Sequence, residues 1–277
     1  TEPSGRLILS ISDMVHALSR PKPLPQPHLL PQKTGMSETR FHALPDGRQI
    51  ACRHTPGSGP ALVFLPGYMS DMAGSKACAV FDWAAAHGRA CLLMDYSGCG
   101  ESGGDFAGGT LSRWKEEVLA LVDAHCPGHV VLIGSSMGGW LMLLAGLELG
   151  ARLKGLIGIA PAPDFTAWGT PEADKDRLSA GVPVFKDNLY GPEPTPTYPG
   201  FWADGQANLL LDGEIALTCP VRLLHGQQDP DVPWEVSLRL AERLRSDAVQ
   251  VLLIKDGDHR LSREQDIALL LRTIESL

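Results

Sequence analysis

The sequence predicts an α/β fold, a mostly parallel twisted sheet with helices on both faces. Two observations predict it. From residue 39 onward, strand-like runs alternate with stretches of helical length. Residues 61–65 read Ala-Leu-Val-Phe-Leu, a continuous apolar run of the kind a parallel sheet buries on both faces. With 277 residues, the chain can enclose the core of one large α/β domain.

The elements follow in order. Residues 39–43 and 49–54 flank Pro45-Asp46-Gly47, a hairpin signal. After the run at 61–65 comes a helix at about 75–87, then a strand at 90–95 that ends in a glycine-rich loop at 97–104. Residues 111–125 form an amphipathic helix, 129–133 a strand, and 137–149 a helix apolar enough that it must be buried. Strands at 153–160, 221–225 and 250–255 follow, with helices at 234–245 and 263–276. Between two of these strands lies 161–219, rich in proline and with little periodicity. An insertion of that length, leaving the carboxyl edge of the sheet, is expected to be a lid.

Residues 1–35 stand apart. Pro21, Pro23, Pro25, Pro27 and Pro31 break regular structure, and Met36-Ser37-Glu38-Thr39 reads like a start. They are expected to be an extension outside the native domain, which then spans 36–277, although 7–18 alternate well enough for a short helix. A targeting remnant is the competing account, suggested by Arg6 and Arg20 and opposed by Glu2, Asp13 and the prolines.

The net charge of −8 disfavours nucleic acid and anionic membrane surfaces, which both need a basic footprint. No apolar run approaches the length of an integral membrane segment. The six cysteines form no C-x-x-C pair and, with the histidines, no cluster at metal spacing, so they are read as small buried residues in a reducing compartment. That compartment is expected to be the cytoplasm, or an organellar matrix if 1–35 is a targeting remnant.

Gly134-Ser135-Ser136-Met137-Gly138-Gly139 lies between a buried strand and an apolar helix, as a G-x-S-x-G nucleophile elbow should. Residues two before and two after the nucleophile must be small in so tight a turn. Gly134 and Gly138 satisfy this around Ser136, whereas Ile133 and Met137 would clash around Ser135. The bland account of Ser136 is a helix N-cap. A serine nucleophile needs a base, and the base needs an orienting carboxylate. Only His225 and His259 follow the insertion. His259 lies in a loop just past the last strand, where a base belongs, whereas His225 ends its own strand and is expected to make structural hydrogen bonds. For the acid, Asp229 follows its strand at the same sheet edge, with Asp231 the main competitor and Asp164 a weaker one. The oxyanion hole needs backbone N–H donors, expected from Met137 and from Tyr68 in Pro66-Gly67-Tyr68-Met69. The loop at 97–104 lacks the Gly-Lys-Ser/Thr ending of a phosphate cradle and is expected to shape the site rim. Trp140, Trp168 and Trp202 are candidates for lining an acyl pocket, or are core and lid packing.

Phe64-Leu65-Pro66-Gly67-Tyr68, Asp95-Tyr96-Ser97-Gly98, the string from Gly134 to Leu143, and Arg222-Leu223-Leu224-His225-Gly226 followed by Val232-Pro233-Trp234 resemble the alpha/beta hydrolase domain-containing family. Within it the chain resembles the mitochondrial palmitoyl-protein thioesterase and acyl-glucuronide esterase group, from about residue 60 to the C-terminus. The resemblance implies a triad of Ser136, Asp229 and His259 and activity on esters or thioesters of carboxylic acids. Neither the natural substrate nor the mitochondrial location carries over, because the lid differs and 1–35 makes a poor transit peptide.

The expected function is therefore a serine hydrolase acting on a small-molecule ester or thioester through an acyl-enzyme, with no cofactor and no metal. The alternatives are a serine-triad lyase or peroxidase, or a non-catalytic ligand-binding protein on the same fold.

Overall fold

The computed structural model describes residues 38–188 and 191–277. The chain divides after Gly35, and the described residues belong to the unit Met36–Leu277. The extension at 1–35 and the short helix expected at 7–18 lie outside the described residues.

Ten strands are described: β1 (Arg40–Ala43), β2 (Gln49–Thr55), β3 (Ser58–Leu65), β4 (Arg89–Met94), β5 (Val130–Ser135), β6 (Leu153–Ile159), β7 (Val184–Lys186), β8 (Thr195–Thr197), β9 (Val221–Gly226) and β10 (Val249–Ile254). Eight of them form one sheet in the order β1-β2-β4-β3-β5-β6-β9-β10. From β4 to β10 neighbours are parallel, while the β1–β2 hairpin adds an antiparallel edge. The hairpin turns where Pro45-Asp46-Gly47 predicts it, with Gly47 at φ 90°.

The chain steps from β3 outward to β4 and then returns past β3 to β5. At this reversal the loops leaving β3 and β5 splay to opposite sides, and a crevice opens above their carboxyl ends. The loop after β3 carries Tyr68, and the turn after β5 carries Ser136.

The side-chain period of two sorts β3 and β4 onto two cores. Ala61, Val63, Leu65, Leu92 and Met94 join one core, and Leu62, Phe64, Cys91 and Leu93 the other. Helix α1 (Ser75–Ala86) covers the second face through Val80 and Phe81, and α2 (Leu111–His125) covers the first through Trp114, Val118 and Leu121. The third helix, α3 (Met137–Leu149), runs beneath the crevice on the first face. It is buried on nearly every side, which explains its lack of a polar stripe.

The insertion is more regular than its sequence predicts. It holds α4 (Phe165–Trp168), α5 (Glu172–Ser179), the two-stranded ribbon β7–β8, and α6 (Pro199–Ala207). Its last third belongs to the core, since Phe201, Leu211, Ile215 and Leu217 are buried there. Of the stretch 161–219 expected to be a lid, the part from α6 onward is thus built into the core. After β9 and β10 come α7 (Glu235–Arg243) and α8 (Glu264–Glu275), which closes the second face through Leu270 and Ile274.

Candidate active site

Ser136 sits at φ 53°, ψ −119° between β5 and α3. A non-glycine residue held there stores roughly 1–3 kcal/mol of backbone strain. Three main-chain bonds keep the strained residue in place: Ser136 N–H donates to Ile159 O at 2.9 Å, and its carbonyl accepts from Gly139 and Ala162. A Cβ on Gly134 would overlap the Gly138 carbonyl, and one on Gly138 would overlap the Leu65 carbonyl. Both glycines flanking Ser136 are thus required by backbone contact. The side chain makes no cap bond to α3, so the N-cap account fails.

The hydroxyl instead meets His259, with Oγ 3.1 Å from Nε2. Nδ1 of the same ring lies 2.7 Å from Asp229 Oδ2. A carboxylate only accepts, so Nδ1 carries the hydrogen and Nε2 presents its lone pair to the serine. The structure brings Ser136, Asp229 and His259 together from the carboxyl ends of β5, β9 and β10. Gly226 makes this possible, because any side chain there would strike the Gly257 carbonyl and push apart the loops that carry Asp229 and His259.

Asp229 is a carboxylate crowded with donors. Oδ1 accepts from the N–H groups of Asp231 and Val232, both at 2.8 Å. Burial disfavours its charge, but the histidines around Oδ2 and the Val232 N–H outweigh burial and hold the carboxyl well below its usual range. The competing acids are occupied elsewhere. Asp164 accepts from Leu210 and Leu211 N–H and pins the end of the insertion. Asp231 is exposed at the mouth of the site, and its amide serves Asp229. Asp229, Asp231 and His259 hold oxygen and nitrogen atoms within 4.8 Å of one another, but His259 Nδ1 is already bonded to Asp229.

The Tyr68 loop lies against the nucleophile, since a Cβ on Gly67 would stand 3.3 Å from Ser136 Cβ. Among the described residues, neither the Tyr68 nor the Met137 N–H is donated to a turn or loop carbonyl. The Tyr68 ring, which the sequence left without a task, packs 4.9 Å from Phe106 and 4.8 Å from Phe201 and anchors the loop.

A cavity of about 550 Å³ opens over Ser136 and His259. Phe64, Met69, Met137 and Val232 line it from the sheet side, and Phe165, Trp168 and Lys186 from the insertion. Of the three tryptophans, Trp168 alone is among its lining residues. Trp140 is fully buried in the core and donates to Asn208 O, and Trp202 donates to Thr166 O within the insertion. Both were expected as pocket candidates, and apolar bulk could not distinguish core from pocket. The glycine-rich loop at 97–104 does not line the cavity either. It folds back onto Asp95, whose Oδ2 accepts from Glu101 N–H at 2.8 Å.

Sequence reasoning missed two polar groups here. His225 reaches Asp229 as well as its structural partners, and Lys76 of α1 reaches the His259 loop, donating to Arg260 O and Ser262 Oγ. Among the described residues, no helix is long and apolar enough to cross a membrane.

Residues 62–272 match the alpha/beta hydrolase family. The chain belongs to that family. It is 37% identical over 255 residues to the human protein named palmitoyl-protein thioesterase ABHD10, mitochondrial, covering 89% of this chain and 81% of the relative. The structure of mouse alpha/beta hydrolase domain-containing protein 10 superposes with a TM-score of 0.81 at 36% identity, over 87% of this chain and 98% of that one. A hydrolase from Agrobacterium vitis S4 superposes equally well, at TM-score 0.81 and 40% identity, over 86% and 98% of the two chains. These relatives bear out the expected enzyme class, a hydrolase of carboxylic esters or thioesters. They overturn the expected cytoplasmic location, because the curated relatives are named mitochondrial. Cysteine usage reports a redox state that several compartments share, so it carried no address.

Proposed function

We propose that this family member cleaves carboxylic esters and thioesters by two-step acyl transfer on Ser136. One observation supports it above the rest: a single imidazole bonded to Asp229 on one nitrogen and to Ser136 on the other. Ser136 Oγ attacks the carbonyl carbon while His259 Nε2 takes its proton. Asp229 orients the ring and stabilises the imidazolium. The Tyr68 and Met137 amides receive the oxyanion at the N-terminal end of α3. Collapse expels the alcohol or thiol, which takes the proton from His259. Water, activated by the same nitrogen, then releases the carboxylic acid.

In this proposal the hydrolase domain spans 36–277, with 1–35 outside it, and the segment from Pro161 to Tyr198 is its lid. The apolar side chains of the cavity suit the acyl group, in line with relatives named as thioesterases of palmitoylated protein. A fluorophosphonate probe tests the nucleophile. Labelling of wild type and its loss in Ser136→Ala are expected, whereas equal labelling of both, or of neither, refutes it. A panel of p-nitrophenyl esters of increasing acyl length, with one acyl thioester, tests the substrate class. Hydrolysis of none of them refutes that part.

A further inference from the structure

His225 lies behind the triad with no side-chain surface exposed. It stands near the end of β9, opposite Leu253 of β10. Its Nε2 is 3.0 Å from Val232 O and 3.2 Å from Asp229 Oδ2. Both oxygens only accept, so Nε2 carries the hydrogen, aimed at the carbonyl and passing close to the carboxylate. On the other side Nδ1 lies 2.7 Å from Ser237 Oγ, in the first turn of α7, and Ser237 is itself fully buried. In the neutral ring the serine hydroxyl donates to Nδ1, which leaves one tautomer.

Full burial requires both ring nitrogens to be matched, and what these partners connect is specific to the site. Here the two bonds tie α7 to the loop that leaves β9 and carries Asp229. The loop is closed by a double use of Val232, whose N–H donates to Asp229 Oδ1 while its carbonyl accepts from His225. The two Asp229 oxygens are thereby divided. Oδ1 is satisfied by main-chain N–H groups, and Oδ2 is left to the two imidazoles, His259 at 2.7 Å and His225 at 3.2 Å. Rotation of the carboxylate would break the Oδ1 bonds and lose the favourable ring N–H behind Oδ2.

Resting on the triad proposed above, we infer that His225 is a positioning residue. It holds the Asp229 carboxylate in the one orientation that directs Oδ2 at His259, and Ser237 fixes the tautomer that lets it do so. It acts through Asp229 and touches neither substrate nor reacting atoms.

The test is steady-state hydrolysis of p-nitrophenyl butyrate by wild type, Ser136→Ala, His225→Leu, His225→Gln and Ser237→Ala, each checked for folding by circular dichroism. Loss of orientation should lower kcat of His225→Leu by about 10- to 100-fold. KM should stay within about twofold, because ground-state binding is untouched. His225→Gln, which restores an N–H near the position of Nε2, should recover most of the loss, and Ser237→Ala should fall between. The proton in the His259–Asp229 bond, read far downfield by NMR in wild type, should shift or broaden in His225→Leu and Ser237→Ala. A folded His225→Leu with unchanged kcat, or one that His225→Gln does not improve on, overturns the inference. Should His225→Leu not fold, unchanged kcat and an unchanged downfield resonance in Ser237→Ala overturn it. Failure of the triad itself shows separately, as activity retained in Ser136→Ala or absent from wild type. The downfield resonance then still reports whether His225 and Ser237 hold Asp229.

Discussion

Replacing Lys76 by methionine should make the protein's stability respond differently to pH. Lys76 projects from α1 into the wall of the site, half-buried, and its ammonium donates to Arg260 O and Ser262 Oγ. Burial, with Arg260 adding like charge and Asp258 and Asp266 partly offsetting it, pushes its pKa from 10.5 down to about 8. A group whose folded pKa lies below its unfolded value binds protons more weakly when folded, so charge on it opposes folding. Below about pH 8 Lys76 is charged in both states and the full cost is present. Between about pH 8 and 10.5 only the unfolded chain carries the proton, and the cost fades as pH rises. A pKa lowered from 10.5 to about 8 corresponds to about 3.4 kcal/mol at most, and solvent on the open side of the site reduces that to about 1–2 kcal/mol. Urea denaturation of wild type and Lys76→Met at pH 7 and at about pH 10.5 measures it, and the difference between the proteins cancels other titrating groups. The stability of Lys76→Met relative to wild type should fall by about 1–2 kcal/mol on going from pH 7 to the alkaline point. A difference that stays constant within about 0.5 kcal/mol, or that moves the other way, would refute the reasoning.

Two further outcomes follow from buried carboxylates. Asp229→Asn should lower kcat on a p-nitrophenyl ester by about a thousandfold or more, because the amide favours the wrong imidazole tautomer. Asp231→Asn, whose main chain supplies the bond to Asp229, should remain within about threefold of wild type; the reverse ranking would exchange their roles. Glu117 is fully buried and held by Arg48 and by Ser97 N–H. Arg48→Met should therefore cost about 3–5 kcal/mol in urea denaturation by stranding the charge, and adding Glu117→Met should recover at least half of it. A loss below about 1 kcal/mol in the single variant would show that solvent reaches Glu117.

Much of this protein was legible in local pattern. The apolar run at 61–65, the hairpin turn at Asp46-Gly47, and the helices at 111–125 and 137–149 are encoded by periodicity and turn chemistry within a few residues. Ser136 was legible too, because the steric need for glycine at 134 and 138 acts through neighbours in the chain and one adjacent strand. The positions of Asp229 and His259 followed from strand order, since successive parallel strands return the chain to the same edge.

What only the tertiary structure decided depends on distance across the fold. Trp140, Trp168 and Trp202 look alike in sequence, and packing alone sends Trp168 to the cavity, Trp140 to the core and Trp202 to a bond inside the insertion. Asp164 was a plausible acid until its oxygens were found on Leu210 and Leu211, 46 and 47 residues away. Lys76 meets the His259 loop across a separation of 184 residues. His225 comes within reach of Asp229 only because the loop after β9 folds the carboxylate back onto it. Sequence by itself determined which residue types could perform acyl transfer and the sheet edge at which they emerge, because steric rules and strand alternation act locally. The folded chain alone decided which of those groups touch, since hydrogen bonds and burial depend on distances that no local rule sets.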